Sequence, residues 1–304
     1  MSTMIGSPPL SASIVAMDTI VTAKVIGASP DIRPALDRAL GWFSQVERVC
    51  SRFDPQSEVF QLSSQVGHPV QVSGLLFEAI RFGVEVANIS GGLFDPTVGA
   101  AQALRGFDRN YVTGQRMSPD ADGAVSYKDV LLDSERQTIT LRRPLLIDLG
   151  AVAKGMAIDL AAKELAGFES FCIDAGGDLY VKGVSECGEA WRIGIEHPRS
   201  PGLIATLQLS DGAVCTSGDY ARRRSETDGE HHLLDPRTGS SPRQVISCTV
   251  LAPTAMVADA LSTAAFIAGP VDGPRLLTAQ DVDGMFVGAD LAITTTPRFE
   301  RWTA

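Results

Sequence analysis

A glycine-bearing segment with a single lysine is the first candidate for chemistry. Residues 147–155 read I-D-L-G-A-V-A-K-G, between an apolar run at 145–147 that predicts a buried strand and a helix predicted over 156–165. Backbone N–H groups at the start of a helix bind anions, and Lys154 adds a positive charge beside them. The segment is neither a Walker loop nor G-x-G-x-x-G. It predicts a phosphate-binding turn; a glycine-tolerant turn with a surface lysine is the alternative.

Asp259 and Thr263 are four residues apart in a helix of small, apolar residues predicted over 256–267. That spacing places both side chains on one helix face. A buried carboxylate is costly unless it is paired or bound to a metal, and carboxylate, hydroxyl and carbonyl oxygens suit Mg²⁺. The pair therefore indicates a magnesium site, with a helix-margin position for Asp259 as the alternative.

His231 and His232 precede a turn that Asp235-Pro236 and Thr238-Gly239 would fix. A histidine held beside a rigid turn is a candidate general base for a hydroxyl nucleophile. An exposed loop histidine remains the alternative.

Two further segments predict residues that line the same cleft. Thr216, Ser217 and Gly218 offer hydroxyls and a flexible backbone. Gly176 and Gly177, followed by Asp178, indicate that the backbone approaches a ligand closely. A bulge at the end of a strand would give the same sequence pattern.

The elements that must position these residues indicate an α+β fold. Apolar residues recur at helical spacing from Ile32 to Val49, after a cap at Ser29 or Asp31, and again over 75–89 until Gly91-Gly92. Strands outnumber helices and come in consecutive runs, including hairpins at 130–141 and 285–294. We expect a disordered tail over 1–12, then one domain over 13–304. It would have two closely packed lobes, mixed or antiparallel sheets, flanking helices and a ligand cleft between the lobes.

Composition limits the partners. The chain has 304 residues with 26 Lys and Arg against 36 Asp and Glu, so its formal charge of −10 argues against nucleic acid. The run Arg222–Arg224 is short enough to be a solvated loop. Five cysteines without C-x-x-C spacing favour free thiols. The first sixteen residues have neither a basic start nor a long apolar run, which predicts no membrane span and a cytoplasmic location.

Taken in order, seven segments resemble the ApbE-type FAD:protein FMN transferases, a family of flavin transferases. The resemblance runs from about Met17 to Gly269. It is carried by residues 51–58, 92–99, 148–155, 175–178, 216–220, 232–239 and 258–263.

The resemblance implies an enzyme that binds FAD and uses Mg²⁺. It would transfer FMN to a threonine or serine hydroxyl of an acceptor protein that carries a flavinylation motif, and release AMP. Lys154 and His232 would be catalytic, with His232 as the base. Mg²⁺ would be held by the Ala151 carbonyl and the side chains of Asp259 and Thr263. FAD would contact Met17, Phe53, Leu93, Phe94, Asp95, Asp148, Lys154 and Leu234.

Two other functions stay open for the same site: hydrolysis of FAD to FMN and AMP, and FAD binding or delivery without chemistry. The chain departs from the family at Asp18, where glycine is usual, and at Arg105, where tryptophan is common. These departures bear on the isoalloxazine end of the pocket and on the acceptor.

Overall fold

The computed structural model describes residues 9–108, 125–220 and 230–303. Its strands are β1 Leu10–Ala16, β2 Thr19–Val25, β3 Val70–Gln71, β4 Val130–Asp133, β5 Thr138–Leu141, β6 Phe171–Ala175, β7 Asp178–Lys182, β8 Trp191–Glu196, β9 Leu203–Leu209, β10 Asp211–Gly218, β11 Val245–Ala252, β12 Asp283–Gly288 and β13 Ile293–Thr295. Its helices are α1 Ile32–Cys50, α2 Glu58–Ser63, α3 Gly74–Ile89, α4 Gly99–Leu104, α5 Gly150–Glu164 and α6 Ala255–Ala279. Arg222–Arg224 lie outside the described residues.

The larger lobe is built on an eight-stranded sheet in the order β1-β2-β6-β7-β10-β11-β12-β13, with every neighbouring pair antiparallel. One face is covered by α1, α5 and α6. The β8-β9 hairpin covers part of the other face, where its inward residues Trp191, Ile193 and Ile195 alternate with exposed ones, as a half-buried strand requires.

The smaller lobe combines the three-stranded sheet β3-β5-β4 with α2, α3 and α4. Its buried residues Phe77, Ile139 and Leu141 belong to the same continuous core as Phe43 of α1 and Phe266 of α6. The α+β prediction of closely packed lobes is therefore confirmed.

Several local predictions are confirmed by the structure. Helix α1 begins at Ile32, although its cap residue Asp31 makes no side-chain bond to the helix. Helix α3 ends before Gly91 and Gly92, which both have positive φ angles, of 62° and 81°. The hairpins β4-β5 and β12-β13 lie where turn residues predicted them.

Two predictions of local structure are wrong. Residues 145–147 form no strand, because Leu146 makes a single parallel bridge to Val98 and has no further ladder partner. Helix α5 starts at Gly150, so Lys154 lies inside it. Regular structure also begins earlier in the chain than expected, since β1 starts at Leu10. Residues 1–8 of the expected tail lie outside the described residues.

Helix α6 is interrupted at Gly269, whose φ of 85° is non-helical, and Pro270 follows with no N–H to donate. By length and composition, α6 is the one described helix that could cross a membrane. Of the residues in its apolar 18-residue window, 67% are buried within the fold, which is typical of the core helix of a globular protein.

Candidate functional site

A cavity of about 420 Å³ opens between the two lobes, and most of the predicted site residues line it. Of the predicted residues, only Gly177 and Asp178 are absent from the lining. The predicted residues that line the cavity are Met17, Phe53, Leu93, Phe94, Asp95, Asp148, Ala151, Lys154, Gly176, Thr216, Ser217, Gly218, His232, Leu234, Asp259 and Thr263.

Asp178 is predicted among the ligand contacts, but it lies outside the cavity lining. The residue is only 2% exposed at the start of β7. Its Oδ1 accepts from the Thr216 N–H at 3.0 Å, and its Oδ2 forms an ion pair with Lys154 Nζ. Asp178 thus lies behind the cavity wall and pairs with the lysine that lines it.

The glycines before Asp178 form a tight turn between β6 and β7. Gly177 donates its N–H to Asp174 Oδ1 at 2.9 Å, away from the cavity. Gly176 has a positive φ of 65°, and a Cβ there would overlap the Thr19 hydroxyl. The expected close approach at Gly176 is thus to the β1-β2 hairpin.

Asp148 fixes the start of α5. Its Oδ1 accepts from the Gly150 N–H at 2.7 Å, and its own N–H donates to the Pro96 carbonyl at 2.7 Å. A carboxylate therefore engages one of the N–H groups expected to face an anion. Lys154 lies one turn further into the helix and lines the cavity.

The residues predicted to hold a metal come from two helices. Ala151 lies on α5, while Asp259 and Thr263 lie on α6 and are 6% and 9% exposed. The Gly155 N–H, one turn beyond Ala151 on α5, donates to Asp259 Oδ2 at 3.3 Å. Thr263 Oγ1 lies 3.0 Å from Ser217 Oγ.

Burial raises the pKa of the Asp259 carboxyl, while the Lys154 charge and the Gly155 N–H oppose that shift. A carboxylate at this position therefore needs positive charge near it. Within residues 9–108, 125–220 and 230–303, no three or more His, Cys, Asp or Glu side chains cluster to hold a metal. Hydroxyl and carbonyl oxygens would have to complete the ligand set, as suits Mg²⁺.

The two adjacent histidines have different environments. His231 is buried, packed edge-on to Phe266 with ring centroids 5.5 Å apart, and its Nε2 lies 2.9 Å from the Pro242 carbonyl. His232 lines the cavity, and its carbonyl accepts from Gln102 Nε2 at 3.0 Å. Of the pair, His232 is placed to act in the cavity.

The turn after His232 is held by hydrogen bonds around Asp235, at the position where the sequence predicts a turn. Arg237 binds Asp235 through Nε at 2.9 Å and Nη2 at 2.8 Å, and these hydrogen bonds lower the pKa of Asp235. The Gly239 N–H donates to the Asp235 carbonyl at 2.7 Å.

Asp95 lines the cavity, but protein groups occupy its carboxylate. Oδ1 accepts from the Thr97 N–H at 2.8 Å and from the Thr97 hydroxyl at 2.7 Å, and Oδ2 accepts from the Tyr127 N–H at 3.0 Å. Burial raises the pKa of Asp95 against these bonds. Asp95 therefore shapes the loop that presents Leu93 and Phe94.

Arg52 is the most prominent site residue that sequence reasoning missed. It is 7% exposed, donates to the carbonyls of Gly99 and Phe107 at 3.0 Å each, and lies over the Phe53 ring. Its Nε is 3.6 Å from Asp148 Oδ2. Its partners are distant in sequence, so no local pattern marks it as buried.

Asp18 and Arg105, the two residues at which the sequence departs from the family, lie at the cavity and near the histidines. Asp18 lines the cavity at the β1-β2 turn, where Met17 and Asp18 have positive φ angles of 54° and 62°. Arg105 Nη1 pairs with Glu230 Oε2 at 3.1 Å, which ties the end of α4 to the chain just before the histidines.

Comparison with known proteins gives a uniform result. The ApbE family model matches residues 17–286. The FAD:protein FMN transferase of Haemophilus influenzae is 30% identical over 241 residues, covering 74% of this chain and 69% of the relative. The FAD:protein FMN transferase of Treponema pallidum is 31% identical over 300 residues, covering 90% and 82%. The crystal structure of an ApbE protein from Thermotoga maritima superimposes with a TM-score of 0.87 at 30% identity, covering 98% of this chain and all of the other.

Proposed function

Because the chain belongs to the ApbE family, we propose that it is a magnesium-dependent FAD:protein FMN transferase. It would move the FMN half of FAD to a threonine or serine hydroxyl of an acceptor protein and release AMP. The observation that carries the proposal is the convergence of Lys154, His232, Asp259 and Thr263 on one cavity. A cation, a candidate base and hard oxygen donors are the groups that phosphoryl transfer needs.

The charge of the cavity supports a requirement for a divalent cation. Among the lining residues that the structure describes, five are carboxylates and two, Arg52 and Lys154, are cations. The ion pair with Asp178 already partly balances the lysine. A pyrophosphate would meet net negative charge here unless a metal ion accompanied it. The five carboxylates are Asp18, Glu47, Asp95, Asp148 and Asp259.

The donor set fits Mg²⁺. The Ala151 carbonyl, the Asp259 carboxylate and the Thr263 hydroxyl are hard oxygen ligands, and water and phosphate oxygens would supply the remaining ligands. The hydrogen bond from Gly155 N–H to Asp259 supports this assignment, because it ties the Asp259 carboxylate to α5 one turn beyond Ala151. When bound, Mg²⁺ would stabilise the negative charge that develops on the phosphate oxygens.

The chain's own residues would then position and deprotonate the acceptor. The acceptor hydroxyl oxygen forms a bond to the FMN-side phosphorus, the bond from that phosphorus to the bridging oxygen breaks, and AMP leaves with that oxygen. His232 would take the hydroxyl proton, since it lines the cavity and Gln102 holds its main chain. Lys154 would bring positive charge to the phosphates.

Hydrolysis of FAD and FAD binding without chemistry are the competing functions. Water in place of the acceptor would give FMN and AMP at the same site. A carrier would not need a buried carboxylate such as Asp259, whose burial is costly without a cation.

A single assay separates these functions. We expect AMP when the protein, FAD and Mg²⁺ are combined with a peptide bearing a flavinylation threonine, and a fluorescent FMN–peptide of matching yield. Asp259→Ala should abolish both products, whereas the control Asp272→Ala, an exposed acid further along α6, should not. AMP released equally without peptide would support hydrolysis instead, and FAD binding with no AMP in either case would support a carrier.

The cellular location also belongs to this proposal. All five cysteines are free thiols, which favours a reducing compartment, and we propose the cytoplasm.

A further inference from the structure

We propose that Asp159 is a positioning residue that holds α6 in register with α5, and so sets the spacing between the Ala151 carbonyl and the side chains of Asp259 and Thr263. The inference rests on the proposed function, because it concerns the same metal site. Asp159 does not line the cavity, and it would act only through the two helices.

The contact joins one helix to the start of the other. Asp159 Oδ1 accepts from the Ala255 N–H at 2.7 Å, and Oδ2 accepts from the Met256 N–H at 3.0 Å. These are the first two residues of α6, whose N–H groups have no partner within the helix. A carboxylate at this end is also favoured by the helix dipole. Asp159 therefore acts as a cap supplied by a neighbouring helix, in addition to the local cap at Thr254.

Both ends of this contact lie close to the metal ligands. Asp159 follows Ala151 by two turns of α5, and Asp259 follows Ala255 by about one turn of α6. A slide of α6 along α5 would therefore change the Ala151–Asp259 spacing directly. The carboxylate of Asp159 opposes such a slide with two hydrogen bonds.

Gly155 brings the two helices into backbone contact between these points. A Cβ on Gly155 would lie 2.5 Å from the Ala255 carbonyl oxygen and 2.5 Å from Met256 Cα. Since real Cβ atoms do not approach so closely, the helices meet at a distance that only glycine permits. Gly155 sets the separation of the helices, and Asp159 sets their position along the axis.

The charge on Asp159 is kept at a cost to stability. Burial raises its pKa to about 6, in spite of both hydrogen bonds and the nearby Lys163, and the negative charge of Asp259 adds to the rise. A group that served stability alone would not need to be an ionised carboxylate here. Buried carboxylates with a shifted pKa occur most often at functional sites.

Mn²⁺ binding to the FAD-free protein, followed by electron paramagnetic resonance, tests the proposal. We expect Asp159→Asn to weaken Mn²⁺ binding about tenfold or more, as loss of an outer-sphere support does at other metal sites. The Mg²⁺ concentration for half-maximal AMP release should rise in parallel, with kcat at saturating Mg²⁺ within about twofold. FAD binding in EDTA should stay unchanged.

The control Asp133→Asn removes a carboxylate that also accepts two backbone N–H bonds, from Glu135 and Arg136, but lies in the β4-β5 turn. It should leave Mn²⁺ binding unchanged. The melting temperature of Asp159→Asn in EDTA should stay within about 3 °C of wild type, which separates a positioning role from a structural one. If Asp159→Asn fails to fold, Asp159→Glu keeps the charge and should show intermediate Mn²⁺ affinity.

Wild-type Mn²⁺ affinity in a folded Asp159→Asn protein would overturn the proposal while leaving the metal site intact. A melting temperature lowered by ten degrees, with weakened FAD binding in EDTA, would also overturn it, because the role would then be structural. No Mn²⁺ binding by the wild-type protein, either alone or with FAD, would instead contradict the proposed function, and this inference with it.

Discussion

The ammonium of Lys154 on α5 and the carboxylate of Asp178 on β7 form an ion pair at the wall of the cavity. The Asp178 side chain is 3% exposed and the Lys154 side chain is 26% exposed, so the pair has a buried end and a cavity end. The lysine is therefore directed by a fixed counterion. Its charge remains within reach of a ligand in the cavity.

Lys154→Met should lower the free energy of unfolding by about 3 kcal/mol, because Asp178 would be left as a buried, unpaired carboxylate. Urea denaturation in EDTA measures the change. The double variant Lys154→Met, Asp178→Asn should recover part of the loss, since no buried charge remains. If the losses measured for Lys154→Met and for Asp178→Asn alone simply added in the double variant, the two residues would not be energetically coupled.

Gly155→Ala should destabilise the protein by about 2–3 kcal/mol, because its Cβ would meet the backbone of Ala255 and Met256 at 2.5 Å and force α5 and α6 apart. Mn²⁺ binding should be lost with the altered spacing. Gly41→Ala in α1 is the matched control, since a Cβ there has no atom within 4 Å and alanine favours a helix. Thermal unfolding of both variants gives the comparison, and equal melting temperatures would contradict the close contact.

The stability of the metal-free protein should depend on the ionisation of Asp159. Its pKa is raised from 3.8 to about 6 on folding, so the folded state binds the proton more tightly. The contribution of Asp159 to the free energy of unfolding is therefore fully present below about pH 4. It is lost as the pH rises through 6, a change of about 2–3 kcal/mol.

Urea denaturation in EDTA between pH 4.5 and 7.5 measures this contribution as the difference between wild type and Asp159→Asn. Lys163 and Asp259 both act on Asp159, so the difference isolates one group against a shared background. A difference that does not vary with pH would show that Asp159 titrates at its ordinary value in the folded protein.

His232→Ala should slow FMN transfer by about 10²–10⁴-fold, the usual contribution of a general base, and leave the Kd for FAD within about threefold. Its histidine control is His68→Ala, an exposed residue outside the cavity. Stopped-time assays of the FMN–peptide give the rate, and flavin fluorescence gives the Kd. Equal losses in rate and affinity would assign His232 a structural role.

The sequence predicts best those features that depend on local geometry. Asp259 and Thr263 share a face because any helix brings residues four apart together, and the fold buries that face against the cavity. The family resemblance also depends on local information, because it is carried by short segments, and these segments include most of the lining residues. These predictions needed no knowledge of distant partners.

Features that depend on a distant partner were not predictable. Leu146 lies in an apolar run typical of a strand, but strand formation requires a neighbouring ladder that the sequence does not specify. The ion pair of Asp178 was not predicted, because its counterion Lys154 lies on a different element. Arg52 was missed for the same reason, since its carbonyl partners Gly99 and Phe107 are far along the chain.

Anomalous diffraction from a crystal soaked with FAD and Mn²⁺ tests the central claim most directly. We predict one anomalous peak about 2.2 Å from the Ala151 carbonyl oxygen, an Asp259 carboxylate oxygen and the Thr263 hydroxyl, a distance expected for a hard cation with oxygen ligands. The peak should also contact the dinucleotide's phosphates. A fully occupied FAD site with no peak between α5 and α6, or with a peak held by other residues, would contradict the account.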